Sequence, residues 1–395
     1  MRKKILAIDT SCDDTCIAIV EANLGGFKRG LTRINLHIKS NVVSSQVKLH
    51  AKYGGVYPTL AKREHQKNLP IVLKRALKKA NFPISNFEFQ ISKKNPNTKI
   101  QIPKIDFIAV TVGPGLEPCL WTGVNFAKDL ARIWEKPIIP INHIEAHILA
   151  NWLSPICKNS KTKTLNSKQI LNLKFQNSKL FPSVCLIVSG GHTQLILMRG
   201  IGNYKILGET RDDAAGECFD KVARILGLGY PGGPAIEKQA EKFKVYGLRS
   251  KVRLPRPMIH QKNFDFSFSG LKTAVLYDFK NRPVKVRKSK KYVQEIAAET
   301  QQAIIDVLIF KTLMAAKKYQ AKTIILGGGV TANDELRKQF NPKLKTLNSK
   351  LKFLVPPKIF CTDNAAMVAM AGYFNYLKGK RKNWENIKVN ANLKI

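Results

Sequence analysis

Lys4-Ile5-Leu6-Ala7-Ile8-Asp9-Thr10-Ser11-Cys12-Asp13-Asp14-Thr15-Cys16-Ile17-Ala18-Ile19-Val20 sets two short apolar runs on either side of a polar turn. Runs of this length, rich in β-branched residues and broken by Asp, Ser and Thr, predict two buried strands, Lys4 to Ile8 and Thr15 to Val20. A third strand around Ile34–Val43 would complete a meander. The device recurs in the second half, where Val184–Val188 runs into Ser189-Gly190-Gly191 and Thr193–Met198 leaves the same turn.

Helical patterns fill the space after each strand pair. Leu60 to Ala80 is amphipathic and is read as two helices or as one kinked at Pro70. Ile105–Val112 is an apolar run ending in Gly113-Pro114-Gly115, followed by a helix through Trp121, Val124, Phe126 and Leu130 and another over Ile141–Trp152. Further helices are predicted around Ala214–Leu226, Pro234–Phe243, Gly270–Phe279 and Tyr292–Tyr319. A strand at Thr323–Leu326 feeds Gly327-Gly328-Gly329, a helix runs from Asn333, and a last one starts near Asp363. Two halves that each open strand–turn–strand and carry helices later predict an α/β fold of two duplicated lobes around a central cleft.

A chain of 395 residues suits two such lobes. The expected division is 1–140 for the first, rejoined by a C-terminal helix at about 362–380, and 141–361 for the second. Basic loops are expected as insertions at about 83–104, 154–180 and 280–291. The last has five cations and no acid between Lys280 and Lys291 even when its two end residues are set aside; it reads as a solvated tether or a contact for a phosphate backbone.

Lys+Arg 67 against Asp+Glu 27 gives a formal charge of +40, which self-repulsion makes costly without a counter-charge. A polyanion such as nucleic acid is the natural partner, because each neutralised phosphate releases counterions. A compositional bias toward Lys, Asn and Ile is the competing reading. Seven scattered cysteines without a CxxC pair argue for a reducing compartment and against a disulfide framework. The opening residues reach Asp9 after four apolar positions, too few for a signal-peptide core, and no apolar run approaches membrane-spanning length. The expectation is a cytoplasmic protein with no membrane partner.

His143-Ile144-Glu145-Ala146-His147 is the sharpest constellation. On a helix its imidazoles lie one turn apart on one face, a spacing that suits a single metal ion and that two chance histidines would also show. Glu145 lies about 200° round the helix from His143, so it faces away and cannot serve as a peptidase base. The three glycine-bearing turns read as anion-binding nests at strand ends, although tight turns use glycine anyway. Asp220 and the Tyr230-Pro231-Gly232-Gly233-Pro234 turn could meet a ribose or acyl group, or be ordinary cap and turn residues. Thr362-Asp363-Asn364 reads as a helix N-cap or as the source of a third, carboxylate ligand.

Nine strings occur in order: IDTSCDDT (8–15), GGVYPTLAKREH (54–65), VGPGL (112–116), NHIEAH (142–147), VSGGHTQL (188–195), GECFDKVARILGLGYPGGP (216–234), FSFSGLKTA (266–274), GGGVTAN (327–333) and FCTDNAAM (360–367). Together they resemble the tRNA N6-adenosine threonylcarbamoyltransferase family, once described as O-sialoglycoprotein endopeptidases. The resemblance implies an ASKHA (actin/Hsp70-like ATPase) fold and one divalent metal, Fe²⁺ before Zn²⁺ or Mg²⁺, held by His143, His147 and Asp363. It implies a nucleotide or acyl-adenylate bound by Ile187, Val188, Ser189, Gly190, Gly191, Asp220, Gly233 and Asn333, with ATP or ADP able to occupy the same place. Asp13 and Asp14 match the family's acidic pair and are the candidate catalytic residues. The implied reaction carries a threonylcarbamoyl group from threonylcarbamoyl-AMP to N6 of the adenosine next to the anticodon, in tRNAs reading codons that begin with A.

Implied partners are tRNA, an actin-like paralogue, a small ATPase and the synthase that supplies threonylcarbamoyl-AMP. Asp9 and Asp14 stand where many members carry Glu, Thr59 replaces a usual acid, and Pro118-Cys119 depart from the common pattern. A sugar kinase of the same fold, a zinc peptidase and a non-catalytic tRNA scaffold are the competing readings.

Overall fold

The computed structural model describes residues 2–28, 31–82, 103–153, 180–245, 250–347 and 350–395. The expected insertions at 83–104 and 154–180 lie almost wholly outside these. The chain divides into two compact units: Met1–Gln46, Val56–Asn177 and Asp363–Ile395 form one, and Val47–Gly55 with Ser178–Thr362 form the other.

The first unit is built on a five-stranded sheet of β1 (Arg2–Asp9), β2 (Asp14–Lys28), β3 (Leu31–Ser45), β4 (Phe107–Gly113) and β5 (Ile138–Asn142), in the order β3-β2-β1-β4-β5. β1 pairs antiparallel with β2, Ile5 opposite Val20 and Asp9 opposite Cys16, and parallel with β4. Ile5, Leu6, Ala7 and Ile8 are fully buried, both faces of β1 being covered. Each buried Ile or Leu contributes about 1.5–3 kcal/mol of transfer free energy, which fixes the register of this central strand. Helices α1 (Pro58–Lys79) and α2 (Glu117–Trp134) pack against each other, and Leu69, Val72, Val124 and Leu130 share a core with Leu6 and Ile8. Pro70 lies inside α1, which is one continuous helix.

β5 takes the first two residues of an expected helix. Ile141–Trp152 was expected as helix, but Ile138-Ile139-Pro140-Ile141-Asn142 pairs with β4 and the helix starts only at His143. Pro140 is tolerated because β5 is an edge strand, where a missing N–H costs no ladder bond. The described residues 141–153 group with the first unit.

The second unit repeats the plan with β6 (Ser183–Val188), β7 (Thr193–Gly200), β8 (Asn203–Glu209), β9 (Thr323–Gly327) and β10 (Lys352–Leu354). Its order, β10-β9-β6-β7-β8, is that of the first sheet with each strand replaced by its counterpart. β6–β7 and β7–β8 are antiparallel, β6–β9 and β9–β10 parallel. The duplication inferred from two strand–turn–strand runs therefore extends to the whole sheet. Helices α3 (His143–Leu149), α4 (Ala215–Ile225), α5 (Gly232–Val245), α6 (Ser269–Asn281), α7 (Lys290–Lys318), α8 (Asp334–Leu347) and α9 (Ala365–Leu377) complete the set used below, α3 and α9 in the first unit and the others in the second. No described helix is long and apolar enough to cross a membrane.

The start of α6 is tied down by Asp212. Its carboxylate accepts from the Ser267 and Ser269 hydroxyls and from the backbone N–H groups of Phe268 and Ser269. Burial works to raise its pKa, but those hydrogen bonds win and hold it below the usual carboxylate value. A lowered folded-state pKa means stabilisation that is present above the unfolded value and lost as pH falls through the folded one. Asp212→Asn should therefore flatten the acid limb of a pH–stability curve; an unchanged limb would show that this anchor contributes nothing.

Candidate functional site

α3 begins where β5 ends because Asn142 caps it, its Oδ1 accepting from Ile144 N at 2.8 Å and Glu145 N at 3.2 Å. The Asn142 amide in turn donates to Leu393 O. This cap sets the phase of the short helix and points His143 and His147 the same way, with ring centroids 4.6 Å apart. At the other end of the chain, Asn364 caps α9 by accepting from Met367 N. The cap is thus Asn364, and its neighbour Asp363 is left to turn toward the histidines.

Three donor atoms converge. His143 Nε2 and His147 Nε2 are 3.1 Å apart, and Asp363 Oδ1 lies 3.4 Å from the first and 3.2 Å from the second. Metal–ligand bonds of roughly 2.0–2.1 Å place neighbouring donors about 3.0–3.4 Å apart, so the triangle has the size one divalent cation requires. Two histidines and a carboxylate are also the donor set of an open, facial site. Without a shared proton or cation, two imidazole lone pairs at 3.1 Å would repel.

Asp9, which the sequence reading did not place in the site, lies behind His143. It is fully buried at the end of β1, and its Oδ2 is 3.3 Å from His143 Nδ1. Its other oxygen accepts from Ser11 N. A carboxylate there keeps the imidazole proton on Nδ1 and leaves Nε2 as the ligand atom. The available signal was an acid closing an otherwise apolar central strand. Asp9→Asn should weaken divalent-metal binding by about 10–100-fold, read by competition with a chromogenic chelator; unchanged affinity would remove Asp9 from the centre.

Electrostatics follow from crowding four carboxylates in one unit. Burial opposes charging His143, yet Asp363 and Asp9 outweigh it and push its pKa up to about 10. His147 is lowered, by burial and by His143. Burial would raise Asp363, but the two imidazoles hold it well below the carboxylate range. Asp14 is pushed up to about 7, chiefly by burial and also by Asp363, Asp13 and Asp9, against a hydrogen bond from Ser45. This is a pocket that favours positive charge.

Asp13 and Asp14 sit where the β1–β2 turn enters β2, Asp14 pairing with Ser45. His65 of α1 pins that turn: Nδ1 meets Thr15 Oγ1 at 2.8 Å and Nε2 meets Cys12 O at 3.0 Å. His65 is a second residue the sequence reading left without a role, although the GGVYPTLAKREH string ends on it. Glu145 turns to α9, where Asn375 Nδ2 donates to it at 3.3 Å. It faces away from the three donors, as its spacing implied, and the peptidase reading has no base.

The other predicted residues lie in the second unit, around the carboxyl end of β6 and β9. Ile187 and Val188 are fully buried in β6, and Ser189-Gly190-Gly191 makes the turn into β7, closed by Ser189 N donating to His192 O. Gly216 N donates to Ser189 O, bringing the α4 N-terminus onto that turn. Asp220 accepts from Gly232 N at 2.6 Å and so holds the start of α5, where Gly233 lies. Asn333 caps α8, its Oδ1 accepting from Leu336 N and its amide donating to Gln301. The fold itself engages these contacts of Asp220 and Asn333, whereas Gly190, Gly191 and Gly233 have open space where a Cβ would stand.

Comparison with known proteins fits this arrangement. The signature of the tRNA N6-adenosine threonylcarbamoyltransferase family matches residues 37–89, 90–160 and 166–370. The chain is 43% identical over 393 residues to the protein of that name from Thermosipho africanus, covering 99% of both chains. It is 42% identical over 408 residues to the one from Thermomicrobium roseum, covering 99% of this chain and 96% of that one. Among solved structures, HypF from T. kodakarensis superposes with a TM-score of 0.52 at 12% identity, over 96% of this chain and 48% of that protein. That likeness bears on the fold alone, which is of the ASKHA type. Signature, full-length identity and duplicated sheets together make this chain a member of the tRNA N6-adenosine threonylcarbamoyltransferase family.

Proposed function

We infer that the chain transfers the threonylcarbamoyl group of threonylcarbamoyl-AMP to N6 of the adenosine next to the anticodon, in tRNAs reading codons that begin with A. The convergence of His143, His147 and Asp363 in a chain of this family is the observation that carries the reading. These three residues would hold one divalent cation, for which two imidazoles and a carboxylate favour Fe²⁺ or Zn²⁺ over Mg²⁺. When bound it supplies Lewis acidity toward the carbonyl of the donor.

The remaining work falls to the protein. Asp9 orients His143 through Nδ1. The backbone N–H groups of Gly190 and Gly191 in the β6–β7 turn are assigned to the adenylate phosphate. Gly233 and Asp220 lie at the α4–α5 junction and are assigned to the nucleoside part, which ATP or ADP would also fill. Asp13 and Asp14 are assigned to the incoming amine, orienting it and taking its proton. Burial pushes the Asp14 carboxyl up to about 7, a value suited to taking a proton near neutral pH. The amine nitrogen forms its bond to the carbamoyl carbon as the bond from that carbon to the AMP oxygen breaks, and AMP leaves.

The family resemblance further supports work alongside an actin-like paralogue, a small ATPase and a threonylcarbamoyl-AMP synthase, in the cytoplasm. All the described cysteines are free, as a reducing compartment permits. The test is a reconstituted reaction with tRNA, ATP, threonine, bicarbonate and the synthase, read by mass analysis of nucleosides. Threonylcarbamoyladenosine should appear, vanish after metal chelation and return with Fe²⁺ or Zn²⁺. Its absence with every partner present would refute the reading.

A further inference from the structure

The segment 280–291 was expected as an inserted basic loop, either a solvated tether or a contact for a phosphate backbone. Instead α6 ends at Asn281, Val284–Arg287 forms a one-turn helix after Pro283, and α7 starts at Lys290 behind its cap Ser289. Pro283 forces Arg282 into an extended conformation, φ −84° and ψ 142°, which terminates α6 and turns the chain sharply. Three contacts hold the turn in place. Tyr292 donates to Asp278 at 2.7 Å, Arg282 pairs with the same carboxylate at 3.0 Å, and the Arg287 guanidinium lies 5.3 Å from the Phe279 ring centroid.

This rigid turn carries Lys280, Arg282, Lys285, Arg287, Lys288, Lys290 and Lys291 with no acid among them. Arg282 takes up Asp278, and among the described residues no acid pairs with Lys285, Lys288 or Lys290, all exposed. Cations on a tether can separate; cations on an anchored turn cannot, so their mutual repulsion persists unless an outside anion relieves it. Tyr277, on the last turns of α6 before Asn281, is 61% exposed.

We propose that the α6–α7 turn is a docking surface for the tRNA phosphate backbone, with Lys285, Lys288 and Lys290 as the phosphate contacts and Tyr277 as a platform for an unpaired base. The proposal rests on the functional reading above. Ammonium groups on one anchored turn, with an exposed ring on the helix that leads into it, are the combination that single-stranded and loop RNA recognises. An anionic membrane would use the charges but would need a larger apolar face than Val284 and Val286 provide.

The experiment compares the full-length protein with its K285A/K288A/K290A variant, by tRNA binding across a salt series and by tRNA-dependent kinetics in the reconstituted reaction. Affinity should fall by about tenfold or more at low salt, and the slope of log K against log salt should shrink by about 2–3. KM for tRNA should rise with kcat little changed, the thermal midpoint should hold, and K285R/K288R/K290R should restore binding. An unchanged affinity and slope, while wild type still forms the modified nucleoside, overturns the surface and leaves the function standing. Binding of wild type to anionic vesicles that the triple variant loses, with tRNA affinity intact, overturns it in favour of lipid. A wild type that neither binds nor modifies tRNA overturns both.

Discussion

His147→Ala should reduce threonylcarbamoyladenosine formation by on the order of 10³-fold while the protein stays folded. His147 is 1% exposed, and its Nε2 is within 3.1–3.2 Å of both other donors, so the substitution leaves an open two-donor remnant. Lewis-acid stabilisation of several kcal/mol corresponds to about three decades of rate. The fold should survive because α3 is set by the Asn142 cap and by buried Ile144, Ile148 and Leu149, none of which the change touches. Nucleoside mass analysis, bound-metal content and thermal unfolding measured on one preparation check the three parts. Full transfer by a metal-free variant would take the centre out of the reaction.

The second large effect separates two kinds of glycine. Gly328 adopts φ +91°, and a Cβ there would stand 2.4 Å from Val188 O. Both the backbone region and the clash forbid a side chain, so Gly328→Ala should cost about 3 kcal/mol and lower the midpoint by roughly 6–12 °C. Gly191 is the opposite case, with nothing within 4 Å of its would-be Cβ and no left-handed φ. Gly191→Ala should leave stability within about 0.5 kcal/mol. If the β6–β7 turn cradles a nucleotide, the same methyl should weaken ADP or AMP binding by at least about tenfold, because the backbone must approach the ligand closely. Calorimetric titration beside a melting curve reads both effects; ADP binding by Gly191→Ala equal to wild type would remove the turn from the nucleotide site.

The parts legible in the sequence were those governed by short-range patterns. Two apolar runs around Asp9–Asp14, and their repeat around Ser189–Gly191, announced duplicated sheets because strand composition is local. The spacing of His143 and His147 announced a shared face because helix geometry is local too. Of β5 only Ile141 and Asn142 were read as helix and Ile138–Pro140 were assigned to no element, because only pairing with β4 makes these five residues a strand. β8 and β10 were missed for a related reason: each is completed by a neighbour, Asn203–Glu209 by β7 and Lys352–Leu354 by β9. The basic turn at 280–291 was read as a loop because its anchors, Asp278, Phe279 and Tyr292, all lie outside it.

By itself the sequence determined the α/β class, the duplication, the paired imidazoles and the excess of positive charge, all consequences of residue type and spacing along the chain. Only the tertiary structure decided that Asp363 reaches both histidines, that Asp9 stands behind one of them, and that the charged turn is held rigid. Those juxtapositions join residues far apart in the chain. They arise when α9 returns to pack on β1 and when Tyr292 closes back onto α6. Burial and hydrogen bonding between distant segments fix such contacts, and no local pattern encodes them.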